Sequence, residues 1–391
     1  MIVEQRTFQN DKWKIVGRCA TVKDKADLVF AFGGRNSLEN AKRVSDLKKY
    51  YPSAQIILGS TSGEILNTSV LDDTIIVTAI DFERTPVSVA SVQILSVNKD
   101  SHKAGEELAK QLPHQDLRHV FVVSDGLMVN GTDLISGLNA VLPDGVSVTG
   151  GLAGDGIRFQ KTLVGLNAPP QDGLIVAVGF YGSNIRVGYG SMGGWETFGH
   201  ERVVTKSKAN VLYELDGKPA LALYKEYLAE KAAELPASAL LFPLSLRAGQ
   251  GKEERITRTV LSVDEATQSM TFAGDIPQGS YAQLMKANFD RLVQGANHAA
   301  QQSMSVDAEP QLAILVSCVG RKLVLGQRIE DEVEAVREIV GNKAAITGFY
   351  SYGELAPGVQ HVEAGKKSAA QKGEACYLHN QTMTISLFAE L

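Results

Sequence analysis

The chain has 391 residues, 44% hydrophobic and 21% charged, with a net charge of -5. That length suits two or three domains with real cores, and the mild acidity gives no basic footprint for nucleic acid. No apolar run reaches the roughly 18 residues a membrane-spanning helix needs.

Met1 to Lys14 is polar and lacks the apolar stretch of a secretory leader. Cys19, Cys318 and Cys376 are few and far apart, which suits a reducing cytoplasm without a disulfide framework. The seven histidines include no His-Glu-x-x-His and no closely spaced ligand pair, and no Cys-x-x-Cys-His is present to attach a c-type haem.

One phrase recurs three times: an apolar strand, a helical stretch, then a second strand ending in glycines and an acid. The first copy runs from Leu28 to Phe32, through Gly34-Arg35, to Ile56 to Leu58 and Gly59-Ser-Thr-Ser-Gly63-Glu64. Strands at Thr74 to Ile80 and Val87 to Leu95 flank a turn at Glu83 to Pro86, and His102 to Leu112 reads as a helix. The second copy has Val120 to Val123, then Val146 to Thr149 and Gly150-Gly-Leu-Ala-Gly154-Asp155.

Strands are expected at Thr162 to Leu166, Leu174 to Phe180, Ile185 to Tyr189 and Arg202 to Lys206. Gly188-Tyr-Gly190-Ser-Met-Gly193 has the spacing of a dinucleotide fingerprint, but Gly194 to Gly199 reads as a loop where that fingerprint needs a helix. Asp216-Gly-Lys-Pro219 punctuates the chain before a helix at Ala220 to Lys231. Strands follow at Ala239 to Leu246, Arg255 to Val263 and Ser269 to Ala273. Ser280-Tyr-Ala-Gln283 reads as a capping box opening a helix through Ala296.

The third copy has Leu312 to Val316, Gly320-Arg321, a helix at Glu330 to Val340, then Ala345 to Thr347 and Gly348-Phe-Tyr-Ser-Tyr-Gly353-Glu354. Pro357 to Gly373 lacks pattern and is expected to be a mobile loop, and Thr382 to Phe388 is a closing strand. The expected fold is mixed α/β (α+β). It has two related lobes of largely antiparallel sheets flanked by helices, facing each other across a cleft, with domains at 1–218 and 219–391.

Strand ends are where such folds bind ligands. Arg35 and Arg321 have the planar fork that clamps a carboxylate, and Glu64, Asp155 and Glu354 could receive an ammonium. Repeats of one architecture also place glycine turns for purely structural reasons, so both readings stand at the turns. The third copy adds Tyr350 and Tyr352, with His379 and Asn380 on the strand that follows. His379 suits a metal or haem iron, or a loop-bracing hydrogen bond. Thr61 stands where a nucleophile elbow needs serine, and Cys318 reads as a core residue.

Taken in order, Gly150 to Asp155, Val204-Thr-Lys206, Leu215 to Ala220, Val316 to Arg321, Gly348 to Glu354 and His379-Asn-Gln-Thr382 make the chain resemble the FIST family of bacterial signal-transduction sensors, with FIST N and FIST C domains. The resemblance implies a non-catalytic cytoplasmic sensor that binds a small ligand, an amino acid among the candidates. It also resembles the stand-alone branch that binds haem b and senses nitric oxide. That branch acts on a histidine kinase or cyclic-di-GMP enzyme. His379 is then the first candidate for haem axial ligand, followed by His200 and His298. No nucleic-acid or membrane partner is implied, and a homodimer stays open. An enzyme using Cys318 or the turn carboxylates is the minor alternative.

Overall fold

The computed structural model describes residues 1–16, 22–235, 237–249, 255–306, 308–358 and 375–391. Cys19 and almost all of the pattern-free segment ending at Gly373 lie outside them. Among the described residues the strands form four sheets, three of six strands and one of eight, in a mixed, largely antiparallel architecture flanked by helices.

The three six-stranded sheets follow one plan. Each centres on a parallel pair: Leu28–Gly34 with Gln55–Thr61, Leu117–Ser124 with Ser147–Leu152, and Leu312–Cys318 with Ala345–Ser351. An antiparallel strand flanks each pair, namely Ile75–Asp81, Leu174–Tyr181 and Met383–Glu390. Leu28–Gly34 and Leu312–Cys318 are buried along their whole length, as expected for strands covered on both faces.

Each repeat then gives away the strand that follows its glycine–acid turn. Glu64–Leu66 joins the third sheet, Val164–Leu166 the first, and Gly353–Pro357 the second. The three exchanges close a ring. One core fills its centre, with Phe30 and Phe32 of the first repeat, Phe121 and Phe180 of the second, and Phe349 and Phe388 of the third. The aromatic contacts cross every boundary: Phe30–Phe121 at 5.3 Å, Phe32–Phe349 at 4.6 Å and Phe180–Phe388 at 5.1 Å between ring centroids. Such pairs contribute about 0.5–1.5 kcal/mol beyond the apolar area they bury.

Helices cover the outer faces. Lys42–Tyr50 packs on the first sheet, Ser101–Gln111 and Gly131–Val141 on the second, and Phe289–Ser303 and Ile329–Val340 on the third. The eight-stranded sheet has its own core under the helix Ala220–Leu228. Its strands come from both sides of residue 218, and it does not follow the repeat's plan. The two-lobe picture thus refines to three related sheets around one core and a fourth sheet beside them.

Three local expectations are corrected. Tyr281–Ala287 is a strand, not a helix, because it pairs on both sides, with Leu244–Arg247 and with Trp195–Lys208. The helix starts at Phe289, where the Asn288 side chain accepts from the Arg291 amide at 3.3 Å. Residues 195 to 199, read as loop, begin the fourteen-residue strand Trp195–Lys208. Residues 239 to 241, read as strand, lie in the 3₁₀ turn Ala237–Leu241. The spacing at Gly188 to Gly193 has a packing cause: a Cβ on Gly188 or Gly190 would meet the carbonyls of Ser303 or Ala299 at 1.9 or 2.1 Å.

Candidate functional site at the junction of the three repeats

The shared register brings Gly34 and Thr61, Ser124 and Leu152, and Cys318 and Ser351 to the carboxyl ends of the three parallel pairs. The glycine–acid turns follow there. Glu64 is buried; its Oε1 accepts from Thr61 Oγ1 at 2.5 Å and its Oε2 from the amide and hydroxyl of Thr74 at 3.0 and 2.7 Å. Glu354 repeats the arrangement, accepting from Ser351 Oγ at 2.6 Å and from the Thr382 amide and hydroxyl at 3.2 and 2.9 Å. Burial pushes the two carboxyls up to about 7 and about 8, against several hydrogen bonds that pull them down.

The second repeat departs from this. Leu152 stands where Thr61 and Ser351 stand, so Asp155 has no hydroxyl three residues before it. Asp125 makes the comparable tie, accepting from Thr162 Oγ1 at 2.7 Å and from the Gly173 amide at 3.0 Å, just ahead of the flanking strand.

Asp155 instead joins all three repeats. Its Oδ2 takes Arg35 Nη1 from the first repeat at 3.0 Å, and its Oδ1 accepts the Tyr352 hydroxyl from the third. The Gln160 and Lys161 amides also donate to Oδ2, both at 3.1 Å, and fold residues 156–161 back over the junction. Phe159 on that loop stacks on Tyr352, with centroids 4.5 Å apart and planes at 16°. The Arg35 side chain is 16% exposed, and its Nε is buried without a partner.

Arg321, Tyr350 and Glu332 form a separate, closed cluster. Arg321 donates Nε and Nη2 to Glu332 Oε2 at 2.9 and 2.7 Å, Nη1 to the Gly193 carbonyl at 2.6 Å and Nη2 to that of Leu292 at 2.8 Å. Glu332 Oε1 accepts from Tyr350 at 2.8 Å and Ser317 at 3.1 Å. Arg321 is thereby spent on the scaffold. Its neighbour Lys322 reaches the junction, donating to the Ser62 carbonyl at 2.8 Å and pairing with Asp72.

His379 to Thr382 is the seam between the repeats and the eight-stranded sheet. Asn380 Oδ1 accepts from the Thr259 amide at 3.3 Å, Gln381 Nε2 donates to the Leu240 carbonyl at 3.2 Å, and Trp195 Nε1 donates to the Gln381 carbonyl at 3.0 Å. Arg258 spans the same seam, donating to the carbonyls of Asp275 and Leu378.

His379, the first candidate for an axial ligand, is enclosed. The imidazole is 2% exposed, its Nε2 lies 3.1 Å from the Ala356 carbonyl, and burial lowers it to about 4. Nδ1 is buried without a hydrogen-bond partner. His298 is exposed on the helix Phe289–Ser303. His200 is exposed beside a narrow recess lined by Arg202, Leu223, Tyr227 and Leu284. Burial pushes the Cys318 thiol far up, which removes the thiolate a nucleophile requires.

Sequence reasoning singled out Arg35, Asp155 and Tyr352, and the structure brings these together. It leaves Glu64 and Glu354 in separate enclosed ties. Glu332, Asp125, Phe159 and Lys322 were missed. A signal existed for the ties, since Thr61 and Ser351 both stand three residues before a glutamate. None existed for Phe159, whose partner is 193 residues away in the chain.

Among the described residues no helix is long and apolar enough to cross a membrane, and no three His, Cys, Asp or Glu are grouped to hold a metal ion. The chain is 29% identical over 180 residues to the uncharacterized protein MJ1623 of Methanocaldococcus jannaschii. The match covers 39% of this chain and spans about a third, 34%, of that relative. A crystal structure of a cyanuric acid hydrolase from A. caulinodans matches 94% of this chain and 90% of its own at 8% identity, with a TM-score of 0.32, too slight to show a common fold. The FIST N domain matches residues 27–218 and the FIST C domain residues 220–357. With these two domains in succession over most of its length, the chain belongs to the FIST family of signal-transduction sensor proteins.

Proposed function

We propose that this FIST protein senses a small carboxylate, an amino acid being one example, which binds Arg35 where the three repeats meet. The observation that carries the reading is the unspent edge of Arg35. Asp155 holds one terminal nitrogen and fixes the plane of the guanidinium, while Nε stays buried with no partner. A guanidinium can serve two carboxylates on two edges. An unmet buried N–H costs about 1–3 kcal/mol, which a ligand carboxylate on that edge would recover.

Because Arg35, Asp155 and Tyr352 belong to different repeats, a ligand there acts on contacts between units. It can shift a conformational equilibrium that a partner reads. The partner class implied by the family resemblance is a histidine kinase or a cyclic-di-GMP enzyme. Kinase autophosphorylation measured with and without the liganded protein tests it.

Thermal-shift screening of the amino acids and simple carboxylates tests the site. A ligand at 100 times its Kd adds about 2.7 kcal/mol to the folded state. Arg35→Gln should abolish the response. Silence across the whole panel, or an undiminished response in Arg35→Gln, would sink the reading.

A further inference from the structure

We infer that Phe159 is the chain's own stand-in for an aromatic ring, so that the carboxylate sensed at Arg35 belongs to an aromatic acid whose ring takes the place of Phe159 on Tyr352. This inference rests on the reading of Arg35 given above and adds the class of ligand and the part that moves.

Three observations converge. Phe159 has φ of +50°, a left-handed backbone that a bulky L-residue seldom adopts. Strain of this kind persists where surrounding contacts over-determine it, and it collects at ligand clamps and switches. Here those contacts are the near-parallel stack on Tyr352, the Gln160 and Lys161 amides on Asp155, Arg158 Nε on the Asp155 carbonyl at 2.6 Å, and Gly156 against Ser62 and Tyr352. Ile157 is 59% exposed, and Arg158, Gln160 and Lys161 are exposed as well.

Tyr352, by contrast, is fixed. It is buried, its hydroxyl donates to Asp155 and lies 2.9 Å from the Gly156 carbonyl, and its ring edge lies against Gly126, where a Cβ would approach within 3.1 Å. A rigid aromatic face covered by a ring that is strained and only half-buried is a site that a better ring can take. The free Arg35 edge belongs to the same cluster, because Asp155 bonds both Arg35 and Tyr352. One ligand can therefore use both features only if it carries a ring and a carboxylate together. Displacement of Phe159 would release residues 156–161 and carry the signal to the surface.

Calorimetry on the full chain with 3-phenylpropanoate, phenylalanine, hexanoate and leucine tests the class. The aromatic members should bind about two- to tenfold more tightly than their aliphatic counterparts, the scale of one aromatic stack. Phe159→Ala should tighten binding of the aromatic acids, and Phe159→Leu, which keeps the loop filled, provides the second variant. Trypsin should cut after Arg158 and Lys161 faster when an aromatic acid is bound. Equal binding of aromatic and aliphatic acids, still lost in Arg35→Gln, would overturn the inference while leaving the carboxylate reading intact. Absence of binding by all four acids, in a panel that also fails in thermal shift, would overturn both. Unchanged affinity in both Phe159 variants would overturn the stand-in role.

Discussion

Glu64 and Glu354 occupy equivalent places in the first and third repeats and are held by equivalent partners. A hydroxyl three residues earlier meets one oxygen, and the amide and hydroxyl of the threonine ahead of the flanking strand meet the other. In both, the carboxyl ties the glycine turn to the start of the third strand of its repeat. The recurrent glycine–acid phrase thus makes the scaffold twice, and only the second copy, with Asp155, reaches the junction.

The matched geometry predicts a pH dependence. Burial raises Glu64 to about 7 and Glu354 to about 8 from an ordinary 4.5, so the folded state binds protons that the unfolded chain has released. Stability from these groups is complete below pH 4.5 and falls as pH rises through 7 and 8. The loss is on the order of 3–5 kcal/mol each at most. Glutamine reproduces the neutral acid, with one oxygen for the threonine donors and an amide for the earlier hydroxyl. Glu64→Gln/Glu354→Gln should remove most of the fall in Tm between pH 5 and 8. An unaltered slope in the double variant would refute the assignment.

Arg321 and Glu332 should behave as one unit. Both side chains are fully buried, and the remaining donors and acceptors are taken by Gly193, Leu292, Tyr350 and Ser317. Removing one partner strands the other charge, at about 3–5 kcal/mol. Arg321→Ala and Glu332→Ala should each lower the urea midpoint strongly, and Arg321→Met/Glu332→Leu should cost much less than their sum. Additive losses in the double variant would show that the pair is not coupled.

Much of the scaffold was legible because apolar runs and glycine turns are local signals. The three parallel pairs, the helix near Glu330 and the turn at Asp216 stand close to where the pattern places them. Tyr281–Ala287 was misread because Ser280 and Gln283 match a capping box by spacing, whereas pairing on both edges decides the element. The strand exchange and the Arg35–Asp155–Tyr352 cluster join residues 120 and 197 apart. No local pattern encodes such contacts. Arg321 shows the same limit: its sequence setting matches that of Arg35, yet Glu332, one helix away, absorbs it.

Two glycines of the repeat should resist substitution while a third accepts it. A Cβ on Gly150, whose φ is +144°, would lie 2.0 Å from the Val122 carbonyl, and one on Gly348 2.0 Å from that of Leu315. These are backbone atoms of the paired parallel strand, so neither position can relax by a side-chain shift. A Cβ on Gly59 would meet only side-chain atoms, Val123 Cγ1 at 3.1 Å and Phe32 Cδ1 at 3.5 Å. Gly150→Ala and Gly348→Ala should each cost about 3 kcal/mol or more, and Gly59→Ala less than half of that. Denaturant midpoints rank the three, and a Gly150→Ala protein as stable as Gly59→Ala would contradict the register.

Arg258 should hold the eight-stranded sheet to the repeats. Its guanidinium is 4% exposed, and burial lowers it to about 10, so it remains charged at neutral pH. Nε donates to the Asp275 carbonyl at 3.0 Å and Nη1 to the carbonyls of Thr257 and Leu378 at 3.2 and 3.3 Å. The Asp275 carboxylate supplies opposite charge nearby and is itself held by Asn130 at 3.1 Å. Arg258→Met removes the charge and keeps the stem, but leaves the Asp275 and Leu378 carbonyls without this donor, at about 1–3 kcal/mol each. The loss falls on the seam, because Leu378 leads into Asn380 and Gln381, which bridge to Thr259 and Leu240. Amide exchange in residues 376–382 should therefore accelerate in Arg258→Met by more than in the strand Leu28–Gly34 of the first sheet. Uniform acceleration would mean a global loss of stability, and exchange unchanged in both segments would mean that Arg258 is not the tie.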